Sequence, residues 1–202
     1  MAQVPVIGRV LALVCLLAVL CLSACGEAPT AGDSLAMPTV AIRHRDALPL
    51  VFSLTDFGES YSIEEMYRMD KGRGWDERST RLSGYRSIYT SDQAVLSQIQ
   101  CQVECYLSVQ DAQHAYRVYK EQLSQQLKGE VRYESVGESQ EEALGDWSWV
   151  FKMEAREEQT LHYLFLRENV LVAVAFTGRR SPNLPDQAVR YARSLDQRIY
   201  RH

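Results

Sequence analysis

Leu96-Ser97-Gln98-Ile99-Gln100-Cys101-Gln102-Val103-Glu104-Cys105-Tyr106-Leu107 is the stretch whose reading decides the fold class. Ile99, Cys101, Val103, Cys105 and Leu107 fall on one face of an extended chain. Gln98, Gln100, Gln102, Glu104 and Tyr106 fall on the other. Alternation of period two over this length predicts a half-buried β-strand. Ser108, with Asp111 three residues later, then opens a helix. Ala112, Ala115, Tyr116, Tyr119, Leu123 and Leu127 give that helix an apolar stripe, and Gly129 closes it.

The flanking sequence extends the pattern. Upstream, Leu48 to Asp56 reads as a first strand. Ser62-Ile63-Glu64-Glu65 fits a capping box and predicts a short helix through Met66 and Met69, stopping near Gly72. Gly72 to Gly84 reads as a polar loop, and Tyr85 to Thr90 as a strand. Downstream, Val131 to Val136 is a short strand and Gly137 to Gly145 an acidic loop. Trp147–Glu154, Thr160–Arg167 and Val170–Thr177 then predict an antiparallel meander. Glu168-Asn169 is its two-residue turn, with Asn169 suited to positive φ. Val170 to Phe176 is apolar on both faces, as in a central covered strand. Pro182 and Pro185 end the sheet region, and Asp186 to Arg201 forms the last helix, with Ala188, Ala192, Leu195 and Ile199 inward. The sum is an α+β fold: one twisted antiparallel sheet flanked by two longer helices.

The N-terminus carries an address. Arg9 is followed by Val10 to Ala24, an uncharged run rich in Leu, Val and Ala. Fifteen helical residues span about 22 Å, short of the roughly 30 Å hydrocarbon core of a bilayer. That length fits a secretory signal peptide. Leu22-Ser23-Ala24-Cys25 at its end resembles the bacterial lipobox. Small side chains there admit the peptidase, and the Cys25 sulfur receives the diacylglycerol. Residues 1–24 are therefore expected to leave, and Cys25 to become the lipidated first residue. Gly26, where Asp would retain a lipoprotein at the inner membrane, resembles the outer-membrane pattern of a two-membrane bacterium. Residues 25–46, with Gly26, Pro29, Gly32, Ser34 and Pro38, read as a flexible tether that includes a weak basic patch, Arg43-His44-Arg45. Residues 47–202 form the single folded domain, long enough to bury one good core.

Composition narrows the function classes. Of 202 residues, 46% are hydrophobic and 24% charged, and the net charge is −4. That is globular, and too acidic for the basic footprint of a nucleic-acid binder. Cys15 and Cys21 leave with the signal peptide, so the domain holds only Cys101 and Cys105. On one strand their Cα atoms lie about 13 Å apart, beyond the roughly 7 Å limit of a disulfide, so both are expected to be buried thiols. No H-E-x-x-H, zinc spacing, P-loop, dinucleotide fingerprint or G-x-S-x-G elbow occurs, so no metal, cofactor or catalytic set is expected. His162 is a strand histidine with no partner in view, and Glu138, Glu141, Glu142 and Asp146 read as a solvated acidic loop. Trp147, Trp149 and Phe151 alternate along one strand face, with Met153 beyond. Such a stripe either lines a pocket for a sugar, lipid or peptide or forms core under a helix. Trp75, in the Gly-rich loop, is either a recognition residue or folded back onto the sheet.

Two blocks carry a family resemblance: Gly84-Tyr85-Arg86 through Leu107 to Asp111-Ala112, and Leu144-Gly145-Asp146 through Leu164–Arg167 and Asn169 to the helix Ala188–Ile199. Together they are similar to bacterial lipoproteins with a PsbP-like domain. The resemblance implies a twisted antiparallel sheet with helices and a binding or accessory role, and carries over no catalytic residues. A second resemblance is to extracytoplasmic sensor domains of bacterial receptor kinases, whose paired disulfides two cysteines cannot make. The expectation is a lipid-anchored extracytoplasmic protein that binds a protein partner or small apolar ligand. The alternatives are an envelope hydrolase using His162 or the acidic loop, and a purely structural lipoprotein.

Overall fold

The Leu96–Tyr106 strand lies near the middle of the sheet, and its polar face is covered as well as its apolar one. The computed structural model describes residues 42–58, 60–69, 72–73, 80–127, 132–136, 144–154 and 157–202. At 72–73, 126–127 and 132–136 only the backbone is described. The strands are β1 (Ser62–Met69), β2 (Gly72–Arg73), β3 (Thr80–Thr90), β4 (Leu96–Tyr106), β5 (Arg132–Val136), β6 (Trp147–Glu154), β7 (Glu158–Arg167) and β8 (Val170–Arg179). Helix α1 (Val109–Leu127) follows β4, and α2 (Asn183–Arg201) ends the chain. The strands form one sheet in the order β1-β3-β4-β8-β7-β6-β5, with β2 paired to β3. Every described pairing is antiparallel. This is the α+β architecture expected from the sequence, with two 19-residue helices.

The sheet has two differently covered faces. Helix α2 lays Leu184, Ala188, Ala192, Leu195 and Ile199 against Ile99, Cys101, Val103, Tyr163, Phe165, Val172 and Phe176. Phe52, Phe57, Tyr61 and Tyr89 extend that core, with Phe57 in ring contact with the other three. Helix α1 covers the opposite face, starting where the Ser108 hydroxyl accepts the Asp111 N–H at 3.0 Å. Ala112, Ala115, Tyr116 and Leu123 are buried there, as the stripe predicts.

Several local expectations are corrected. Ser62–Met69 is strand, not helix. The capping-box residues pair with β3 instead, and a bulge between Ile63 and Glu65 breaks the alternation that would have marked a strand. Leu48–Leu50 and Leu54–Asp56 are 3-10 turns rather than a strand, with Ser53 and Asp56 capping each other in the second. The supposed loop before Tyr85 is already β3 from Thr80. Leu107, expected inward, is 46% exposed because β4 ends at Tyr106. Positive φ in the β7–β8 turn falls on Glu168 (52°) and not on Asn169. Helix α2 starts at Asn183, and Pro185 sits in the first turn, where a missing N–H costs no helical bond. The body also starts earlier than residue 47: Ala47 is buried, and His44 is only 5% exposed.

Candidate functional site

The odd positions of β6 face α1. The Tyr116 ring meets Trp147 edge-on at 5.6 Å. The Arg117 guanidinium lies 5.1 Å from the Trp147 ring, and the Lys120 ammonium 5.5 Å from that of Trp149. Trp149 leans on Phe151 at 4.7 Å, and Phe151 is fully buried. Helix side chains therefore occupy this face of the stripe, with cations over the indole faces. Trp75 and the acidic residues Glu138, Glu141 and Glu142 lie outside the described residues, as do Cys25 and the whole signal segment.

His162 belongs to the same layer. Strand register aligns Ile88, Gln100, Ala175, His162 and Phe151 in one row across the sheet. The imidazole stacks on Phe151 at 4.3 Å with a 9° interplanar angle. Burial drives its pKa down to about 3. Its buried Nε2 makes no hydrogen bond. A neutral imidazole without an orienting carboxylate is poorly placed for proton transfer at neutral pH.

Glu104 is the buried charge on this side, 1% exposed beneath α1. Arg81 Nη1 donates to its Oε2 at 2.9 Å, Tyr106 Oη to the same oxygen at 3.0 Å, and Gln102 Nε2 to Oε1 at 2.6 Å. Both oxygens of the buried carboxylate are thereby paired or hydrogen-bonded. Sequence alternation marked Glu104 as solvent-facing because it shows the face and not what covers it.

The two thiols lie in the opposite core. Burial pushes Cys101 and Cys105 each up to about 12. At neutral pH almost none of either is thiolate, the form in which a cysteine acts as a nucleophile.

A polar cluster forms at the pole where residue 42 enters the body. Asn169 Nδ2 donates to the carbonyls of His44 (2.6 Å) and Tyr106 (2.9 Å), tying the entering chain to the end of β4. The Ala47 N–H donates to Ser83 Oγ at 2.8 Å. Arg43 pairs with Glu168 at 2.9 Å. Arg167 grips Asp196 through two bonds, Nε–Oδ1 at 2.6 Å and Nη2–Oδ2 at 2.7 Å. The Arg43 and Arg167 guanidiniums both lie against the Tyr200 ring, at 5.7 and 5.6 Å. Asp146, the described member of the acidic run, accepts the Glu168 N–H at 2.7 Å. Burial lowers the His44 pKa, against the raising effect of Glu168. The Arg43-His44-Arg45 cluster is thus partly built into the body rather than wholly in a tether.

Among the described residues, no group of three His, Cys, Asp or Glu side chains can hold a metal ion. No helix among them is long and apolar enough to cross a membrane.

No protein-family model matches the chain, and no curated protein matches its sequence. Three solved structures are similar in backbone. The extracellular domain of PknH from Mycobacterium tuberculosis is 10% identical, with a TM-score of 0.46, over 73% of this chain and 93% of that one. A GTP binding regulator from Thermotoga maritima is 11% identical, with a TM-score of 0.33, over 67% of this chain and 77% of that one. The Ran-binding protein Mog1p from Saccharomyces cerevisiae is 13% identical, with a TM-score of 0.31, over 57% of this chain and 76% of that one. At such identities function has to be argued from this chain's own residues.

Proposed function

We propose that the protein is a lipid-anchored extracytoplasmic binding or accessory protein, held to a membrane through Cys25 and without catalytic chemistry of its own. The observation that carries this reading is Leu22-Ser23-Ala24-Cys25 at the end of the uncharged run Val10–Ala24. Lipid on Cys25 supplies the anchoring free energy, about 0.8 kcal/mol per buried methylene, so that two or more chains hold the protein stably. The gripped entry of the chain at His44 and Asn169 supports the same reading, because it gives a tethered body a defined point of attachment. The non-catalytic part is supported by the state of the reactive groups. His162 is stacked and neutral, both body thiols are sealed, and Glu104 is fully paired.

Fractionation of cells expressing the wild type and Cys25→Ala tests the anchor. Wild type is expected in the membrane fraction and the variant in the soluble extracytoplasmic fraction. A variant that still partitions wholly into membranes would falsify the lipid-anchor reading.

A further inference from the structure

Strand β1 is one edge of the sheet, and among the described residues nothing pairs with its outer side. Its eight residues, Ser62-Ile63-Glu64-Glu65-Met66-Tyr67-Arg68-Met69, run about 27 Å. Seven of the eight are exposed, and Ile63, Met66 and Tyr67 put large apolar groups there at 40% exposure or more. An edge of this length offers a row of free N–H and C=O groups to another strand, and folded proteins blunt such edges with Lys, Pro or bulges. β1 has neither Lys nor Pro, and its one bulge, between Ile63 and Glu65, leaves Glu65–Met69 regular. The charges on the edge are uncommitted. Among the described residues, the side chains of Glu64, Glu65 and Arg68 make no ion pair or hydrogen bond. Pairing with β3 fixes the faces. Met66 and Arg68 lie opposite Ser87 and Tyr85, on the side that α2 covers, whereas Glu65 and Tyr67 lie opposite Ile88 and Arg86, on the side of α1.

We propose that β1 is the docking edge for a second copy of this chain, the two β1 strands pairing antiparallel about a two-fold axis at Met66. A two-fold normal to the sheet keeps each face on its own side, so only residues of the same face stand opposite each other. Centred on Met66, that residue meets its own copy, and on the other face Glu65 meets Tyr67 twice. Beyond them the bulge sets Ile63 and Glu64 together opposite Arg68, because two residues of a bulged strand face one of its partner. The Arg68 stem then lies on Ile63 while its guanidinium reaches Glu64, again twice. Neighbouring registers lose this. Centring on Glu65 brings two carboxylates directly opposite, which destabilises. Centring on Tyr67 puts Arg68 opposite Met66 and removes both ion pairs. The occupant is a second copy because the complement of Glu64 followed by Arg68 is the same strand reversed. One sheet then runs through two molecules. This goes beyond the function proposed above and uses no part of the lipid anchor.

The test is disulfide trapping of the full chain in its own membrane. Met66→Cys is compared with Leu107→Cys, an exposed position off this edge, and with the wild type, whose Cys101 and Cys105 are buried. Residues directly opposite across a strand pair are close enough for a disulfide. Met66→Cys is expected to give at least about tenfold more linked dimer than either control. Sedimentation of the full chain in mild detergent should show a dimer. Arg68→Glu should weaken self-association tenfold or more, and Glu64→Arg/Arg68→Glu should restore it. These side chains are exposed in the single chain, so the thermal midpoint should stay within a few degrees in each variant. A wild type that remains monomeric at about 100 μM overturns the proposal. So does linkage in Met66→Cys no greater than in Leu107→Cys, or a dimer indifferent to Arg68→Glu. A monomer that holds a different protein on this edge overturns it as well.

Discussion

Acid should destabilise this fold through His162, and the size of the effect follows from its surroundings. In the unfolded chain the imidazole titrates near its ordinary value of 6.5; stacked on Phe151 and desolvated, it titrates at about 3. The folded-state value is depressed, so between these two values the unfolded state binds the proton and the folded state does not. Stability therefore falls as pH drops below about 6.5, and the loss stops growing near pH 3. At pH 7.5 the contribution is negligible. At pH 5 the difference in proton binding costs the fold about 2 kcal/mol, from 1.36 kcal/mol per pH unit. For a domain of this size that is a thermal midpoint lower by about 4–8 °C. Carboxylates add their own pH dependence, so the decisive quantity is a difference between variants. His162→Gln is neutral at both pH values and similar in volume. Thermal unfolding of the full chain in detergent at pH 7.5 and pH 5 should show wild type losing several degrees more than His162→Gln. Parallel losses in the two proteins would refute the reasoning, because the imidazole would then be free to protonate in place.

Other outcomes follow from the packing. Gly145 has φ of +64°, and a Cβ there would sit 2.2 Å from the Leu166 carbonyl oxygen, which already accepts the Asp146 N–H at 2.6 Å. Gly145→Ala should cost at least about 2 kcal/mol in denaturant unfolding. Replacing Arg167 by Met strands the largely buried Asp196 carboxylate, and should cost about 2–4 kcal/mol, with much of it recovered in Arg167→Met/Asp196→Leu. With Cys25 lipidated, Cys101 and Cys105 should stay unmodified by maleimide at pH 8 in the folded protein, since roughly one thiol in ten thousand is ionised, and both should react in denaturant. Rapid labelling of either in the native state would place it outside the core.

The parts of the fold that could be read from sequence are those where burial follows a local period. The alternation Ile99-Cys101-Val103-Cys105 marks β4, and Ala188, Ala192, Leu195 and Ile199 mark α2, because each repeats its face over several turns or pleats. Trp147–Glu154 matched β6 to the residue. Ser62–Met69 failed because S-x-x-E is also an acceptable edge strand, and the deciding pairing is with residues some twenty positions away. Leu48–Asp56 is apolar because it packs on α2 and β3, where Arg198 donates to the Val51 carbonyl and Tyr89 Oη to the Phe52 carbonyl at 2.6 Å. Those partners are remote, and nothing local distinguishes such turns from a strand. The aromatic stripe was legible as a stripe, but what covers it is set by Tyr116, Arg117 and Lys120 on α1.

The anchor is tested most directly by intact mass and N-terminal peptide analysis of the protein extracted from its own membrane. The expected result is a chain beginning at Cys25, with a diacylglycerol thioether on its sulfur. A chain beginning elsewhere, or Cys25 recovered as a free thiol, would contradict it.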